Sequence, residues 1–423
     1  GVAAAIAGMT LNWASSPGNL LPPGFSLTRS GTNATYFDSA GLLQTAGADV
    51  TRGTYRYNGS AWVFDGTIVE AAAATNSLLR SRALGTAPWI LTGTAGAQNA
   101  TGIDGAANTA WTLTDASAAA FDGYYAAGTI TIANDSNNQA VSCRFLKDAN
   151  NTTFPALRCL LSGGTTVSQD LVLNTSTGAF TVQVGSGVGG GTVTDEGLWW
   201  KATVYSTNNS TGNTSCIVQV FPGYTTGTTA SAASVAAVRT CVVDQFDHRP
   251  NSTVTDSPII TAGVAVTRNA DVVTATTSGL LVNAQGFAAI GGRIIAQNGS
   301  GPWAMFACAT GEGWPLYFAN STSPSRLALY DGTSIINFGA STQIPSAGTA
   351  FKAATTWYGI EASGALNGTV GSPSAAFDSS LGLGTTIRIG DVPSGGFPIS
   401  MVLQSMRLGV QTVNNSRLAN PFA

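Results

Sequence analysis

Short runs of alternating or β-branched residues, each closed by glycine, asparagine, aspartate or serine, recur along most of this chain. A run of this kind buries one face of an extended strand and then turns back, so the pattern predicts antiparallel sheets. Gly128 to Ala133, Gln139 to Leu146, Asp170 to Leu173, Ala179 to Val184 and Leu198 to Tyr205 are examples. Ser215 to Val220, Val238 to Val243, Arg326 to Tyr330, Phe351 to Ile360, Thr385 to Ile389 and Met401 to Val410 continue the series. Strands at intervals of about 8–12 residues indicate β-sandwiches, not parallel βαβ units. Helical periodicity is nearly absent, and its best candidate is Val69 to Arg82, a stretch blurred by alanines.

The chain is 44% hydrophobic and only 9% charged, with 51 glycines. Disordered chains are poor in apolar residues, so this one folds around large cores. Its 423 residues suit two or three domains. The first ~80 residues are irregular and carry Pro17, Pro22 and Pro23, which reads as an extended arm. Phe246 to Ser257 is polar, contains Pro250 and reads as a linker. The resulting expectation is an all-β protein: an arm over 1–83, a β-sandwich over 84–255 and a second over 256–423.

Charge and residue inventory exclude several functions. A net charge of −3 with no basic run argues against nucleic acid, which requires clustered Lys and Arg. No stretch reaches the ~18 apolar residues of a membrane span, and the small apolar start lacks the basic residues of a signal peptide. The single histidine, His248, sits in Asp-His-Arg-Pro and reads as a surface turn residue. It leaves no room for a multi-histidine metal site, and no calcium loop is present, so neither metal nor cofactor is expected. Cys143, Cys159, Cys216, Cys241 and Cys308 show no metal or redox spacing. They read as buried free thiols, with Cys143–Cys159 or Cys216–Cys241 as the pairs that could meet across a sheet. Only four glutamates exist, and Asp195-Glu196 would point to opposite strand faces, so no catalytic pair is expected.

Several words of the sequence are specific. Phe25-Ser-Leu-Thr-Arg-Ser-Gly-Thr-Asn-Ala-Thr-Tyr-Phe-Asp-Ser begins a stretch that runs to Ala46, and Ala48-Asp-Val-Thr-Arg follows. Gly66-Thr-Ile-Val-Glu leads through Thr75-Asn76 to Ser81, Gly197-Leu-Trp-Trp-Lys lies further on, and Thr261 to Val273 contains Val-Thr-Arg-Asn-Ala-Asp-Val-Val. Together they resemble a family of tailed-bacteriophage and prophage virion proteins. That resemblance implies a carbohydrate-binding-module-like sandwich followed by a concanavalin- or laminin-G-like jelly roll. It implies a fibre, spike or decoration component on the virion surface, a homo-oligomer held to other virion proteins by the arm and displaying its modules to host polysaccharide. A purely structural decoration protein and a virion-borne glycan hydrolase are the alternatives.

For sugar contact, the aromatic and glycine-flanked stretch Thr310-Gly-Glu-Gly-Trp-Pro stands out. Trp314 with Glu312, Tyr317 and Trp303 are the candidate carbohydrate-binding residues, the ring offering a stacking face and the carboxylate an acceptor. Trp111 and Trp199 lie in strand-like runs and are assigned to the core.

Overall fold

Every one of the eleven runs named above contains a strand in the computed structural model. The structure describes residues 9–225, 236–297, 302–308, 314–319, 326–331, 334–375, 377–378, 383–392 and 396–422. Strand accounts for 54% of the chain and helix for 2%, so the all-β sandwich expectation holds. The short helix Asn415–Ala419 is capped by Asn414, whose side chain accepts from the Arg417 N–H. No helix among the described residues is long and apolar enough to cross a membrane.

Residues 89–250 build the first sandwich. One sheet runs in the order Val188–Glu196, Trp199–Thr207, Asn138–Leu146, Arg239–Pro250, Ala110–Asp115 and Ala97–Ala100. The facing sheet runs Phe180–Ser186, Val167–Leu173, Phe154–Ser162, Ser215–Tyr224, Tyr124–Ala127 and Trp89–Thr92, with Ile130–Thr131 also paired to Ser215–Tyr224. Strand alternation sends Val141, Cys143 and Phe145 inward against Leu157, Cys159 and Leu161. Trp111 and Trp199 are buried, as expected. All five cysteines are buried and free. The thiols that meet are those of Cys159 and Cys216, at 3.9 Å, which is neither of the expected pairings.

The second sandwich corrects the expected arm. Its eight-stranded sheet runs Thr369–Val370, Glu361–Leu366, Ala350–Tyr358, Gln285–Gln297, Ile399–Gly409, Trp62–Glu70 and Arg52–Tyr57. Along the free side of Ile399–Gly409, Trp62–Glu70 occupies Ser400 to Leu403 and Met9–Ala14 takes over from Ser405 to Gly409. The facing sheet likewise begins with a strand from the N-terminal segment, Ser26–Thr28, paired to Val272–Thr276. Leu11, Trp13, Phe25, Leu27 and Val69 therefore lie in one core with Ile290, Phe306 and Met406. The N-terminal segment makes these apolar contacts within its own chain, where an arm would make them with neighbours. Its strands are three to nine residues long and separated by proline and glycine, too broken for periodicity to show.

The first sandwich is thus inserted into the second, and the two crossings run side by side. Ala74–Asn76 pairs with Val266–Arg268, and the amides of Ser77, Ser81 and Phe246 bond to His248, Thr261 and Ser81 carbonyls. Asn76 pins the crossing: its amide nitrogen donates to Phe246 and Ile259 carbonyls, and its oxygen accepts from Leu78 and His248 amides. The helix candidate at Val69 to Arg82 is not a helix, because these bonds to the return crossing take the backbone groups a helix would use. The expected linker is likewise ordered: Phe246 to Pro250 complete the strand Arg239–Pro250.

A buried charge network closes the junction. Glu70 receives Arg52 at 2.7 Å, Arg268, and both the amide and hydroxyl of Ser257. Asp271 receives Arg52 at 2.5 Å, Arg29 at 2.8 Å and the Glu70 amide. Arg268 continues to Asp256, which also meets Arg249, and Arg249 forks onto Asp247. Burial alone would raise the Glu70 pKa, but the charges of Arg268 and Arg52 and the Ser257 hydrogen bonds hold it well below the usual carboxylate range. Arg29, Arg52, Glu70, Asn76, Ser81, Arg268 and Asp271 all belong to the sequence words that carry the family resemblance. Those words encode the junction.

His248 corrects the surface reading. It is fully buried, and neither ring nitrogen has a hydrogen-bond partner. Burial, helped by the adjacent Arg249 charge, pushes its pKa down to about 3.

Two expectations follow. A chain lacking residues 1–70 loses three strands from one sheet and one from its partner, so its C-terminal half should not fold cooperatively. A fragment spanning 84–250 should fold alone, because its ends already lie together; circular dichroism and thermal melts distinguish the two. For His248, the unfolded chain takes up a proton near pH 6.5 whereas the folded chain resists until about 3. Stability should therefore fall as pH drops below about 6.5, by at most ~1.4 kcal/mol per pH unit from this group. Denaturation of His248→Leu between pH 6.5 and 5, above the carboxylate range, should show a flatter dependence than the parent.

Candidate functional site

A cleft of about 450 Å³ lies where the inserted sandwich meets the N-terminal hairpins, within the size range of small-ligand sites. One wall is the outer face of the six-stranded sheet. Thr194, Lys201 and Arg144 stand side by side there on three neighbouring strands, with Thr192 paired to Thr203 one step along. These positions are polar because their inward neighbours, such as Val193 and Cys143, supply the core.

The opposite wall is aromatic. The hairpin Arg52–Tyr57/Trp62–Glu70 turns through Asn58-Gly59, a strong hairpin signal, and pairs Tyr55 with Phe64 and Tyr57 with Trp62. Tyr55, Tyr57 and Trp62 line the cleft together with Tyr36 and Phe37. All five are half-buried. The Trp62 ring lies 5.2 Å from Phe37 and 5.9 Å from Tyr57, centroid to centroid. It also covers Gly41, where a Cβ would come 2.1 Å from the indole. The segment Val254 to Pro258 also lines the cleft, as do Arg293 and Arg56.

Each carboxylate of the cleft is already engaged. Glu196 takes a forked pair of bonds from Arg144 at 2.9 and 3.2 Å. Asp195 takes Lys147 at 2.6 Å, and that ammonium sits 4.0 Å from the Trp200 ring centre. Asp256 is held by Arg249 and Arg268. Asp195 and Glu196 serve different cations, although both line the cleft. The cations are less completely engaged. Arg144 Nη1 is buried without a partner, Lys201 Nζ donates to the Thr255 and Asp256 carbonyls, and Arg56 makes one 3.8 Å contact with Asp65. Among the described residues, no three His, Cys, Asp or Glu side chains converge as a metal site would require.

The sequence-based candidates lie elsewhere. Trp303 is half-buried, packs on the core of the second sandwich and does not line the cleft. Trp314 begins the strand Trp314–Ala319 with its backbone paired to Tyr330. Tyr317 lies on the same strand opposite Ala304 and Ala328. Glu312 falls outside the described residues. The cleft aromatics were missed because the hairpin was hidden inside the supposed arm, although Asn58-Gly59 between two aromatic runs was a usable signal.

No protein-family model matches the chain, and no curated protein is similar to it. Among solved structures, it is similar to domain 4 of an extracellular arabinanase from Geobacillus stearothermophilus, solved in complex with arabinotriose. That match has 11% identity and a TM-score of 0.30, covering 36% of this chain and 73% of that one. It is also similar to a structure described as a receptor binding domain, with 13% identity and a TM-score of 0.27. The second match covers 37% of this chain and 40% of that one.

The seating of Trp62 can be tested with two glycines. Gly41 and Gly59 both adopt left-handed φ, +78° and +98°, but only Gly41 faces the indole. Gly41→Ala should cost about 1–3 kcal/mol more than Gly59→Ala in chemical denaturation, the difference being overpacking against the ring.

Proposed function

We propose that this chain is a glycan-binding accessory protein of a tailed-bacteriophage virion, a fibre, spike or decoration component, and that the cleft between its sandwiches holds the sugar. The observation that carries the binding reading is the cleft itself: five half-buried aromatic rings face a wall of threonines and cations. Aromatic faces stack on the apolar face of a sugar ring, and hydroxyl, ammonium and guanidinium groups bond to its oxygens. The virion setting is supported by the sequence words around Arg29, Arg52, Glu70 and Arg268.

One such site binds weakly, so useful adhesion comes from many copies on one particle. Removing one stacking ring costs ~1–3 kcal/mol on the scale of nucleobase stacking, about five- to 150-fold in affinity. Tyr57→Ala should therefore weaken binding to immobilised bacterial surface polysaccharides about fivefold or more while leaving the far-UV spectrum unchanged. Full binding by the variant would remove the cleft from the reading. Mass spectrometry of purified particles tests the virion setting, and absence of the chain from them would overturn it.

A further inference from the structure

The carboxylates of the cleft are paired and its cations hold unused donors, an asymmetry that bears on the charge of the ligand. Arg56 is half exposed, and the Asp65 carboxylate it approaches already serves Arg293 and Gln404. Lys201 has three N–H donors and spends them on two carbonyls, at 2.6 and 3.3 Å. Arg144 commits Nε and Nη2 to Glu196 and leaves Nη1 unpartnered. Neutral sugar hydroxyls would satisfy such donors only with neutral acceptors, whereas an anionic oxygen makes the stronger charge-assisted bond.

Resting on the glycan reading above, we propose that the cleft selects an acidic polysaccharide, carboxylated or sulfated, over a neutral one. Arg56 and Lys201 receive the anionic group, Arg144 keeps the wall positive behind them, and Tyr57 and Trp62 carry the ring.

Lys201 supplies a second handle. Burial, reinforced by Arg144 on the neighbouring strand, pushes its pKa down to about 8, against the opposing pull of Glu196, Asp256 and Asp247. Its ammonium is therefore lost as pH rises through about 8, and affinity for an anion should fall over the same range. Lys201→Arg should remove that pH dependence, since a guanidinium stays charged.

The test uses the full chain and three polymers: polygalacturonate, dextran sulfate and neutral dextran. At pH 7 and fixed salt, at least one acidic polymer should bind ten times more tightly than dextran, and the comparison between the two distinguishes carboxylate from sulfate. Arg56→Gln, at an exposed position, and Lys201→Met should each reduce that preference several-fold, with melting curves confirming the fold. Equal affinity for acidic and neutral polymers, lost in Tyr57→Ala, would overturn the charge selection and leave the glycan reading standing. Acidic binding that is indifferent to Arg56→Gln, Lys201→Met and pH would place it on another surface and overturn the proposal. Binding to none of the three, nor to bacterial surface polysaccharides, would remove both.

Discussion

Glu70 sits fully buried between Arg52 and Arg268, with Ser257 bonding both of its oxygens, and the union of the two sandwiches depends on it. A carboxylate taken out of water costs several kcal/mol, and only complete pairing offsets that cost. Here the pairing comes from stretches more than two hundred residues apart, so the network exists only when the N-terminal hairpins, the return crossing and Asp271 are all in place. Misregister by one residue would leave a buried charge alone, a penalty of about 3–5 kcal/mol. The network thus acts as a register mark for a topology that hydrophobic burial alone would not specify, because the surrounding strands are short and rich in small residues.

Strand content was legible in the sequence because it is local: period-two alternation and glycine-bounded runs from Gln139 to Leu146 or from Met401 to Val410 declare themselves without reference to partners. Strand partnership was not legible. Leu11 and Trp13 show two inward positions on a six-residue strand, and nothing in that hexamer points to a partner at Ser405 to Gly409. His248 was misread for a related reason: Asp-His-Arg-Pro has turn-like composition, yet it lies in a strand where Asp247 and Arg249 satisfy one another on one face and the imidazole is buried on the other. The candidate cleft failed to appear in the sequence because its walls are contributed by residues 36 to 62 and 144 to 203, joined only by the junction. Trp314, by contrast, was chosen for its flanking glycines, a local cue that reports turns better than it reports ligands.

The resemblance words and the candidate site overlap only in part. Arg29, Arg52, Glu70, Arg268 and Asp271 are spent on the internal network; of the cleft's own groups, Tyr36, Phe37 and Lys201 lie within those words, whereas Tyr57, Trp62, Arg56 and Arg144 stand outside them. A scaffold of this type can keep its junction while the neighbouring hairpin and outer sheet face change, which is how one architecture serves different ligands.

Insertion also governs how the molecule carries a pull. Met9 pairs with Gly409 and Ala14 with Ser405, so the start of one strand and the finish of the other lie at the same end of the pair. Tension applied through those two points peels the hydrogen bonds open one after another instead of shearing them together. The inserted sandwich, entering and leaving through crossings hydrogen-bonded to each other, stands outside that line of force. Under such a pull the second sandwich would yield first while the first remains unloaded, like a weight hung beside a rope.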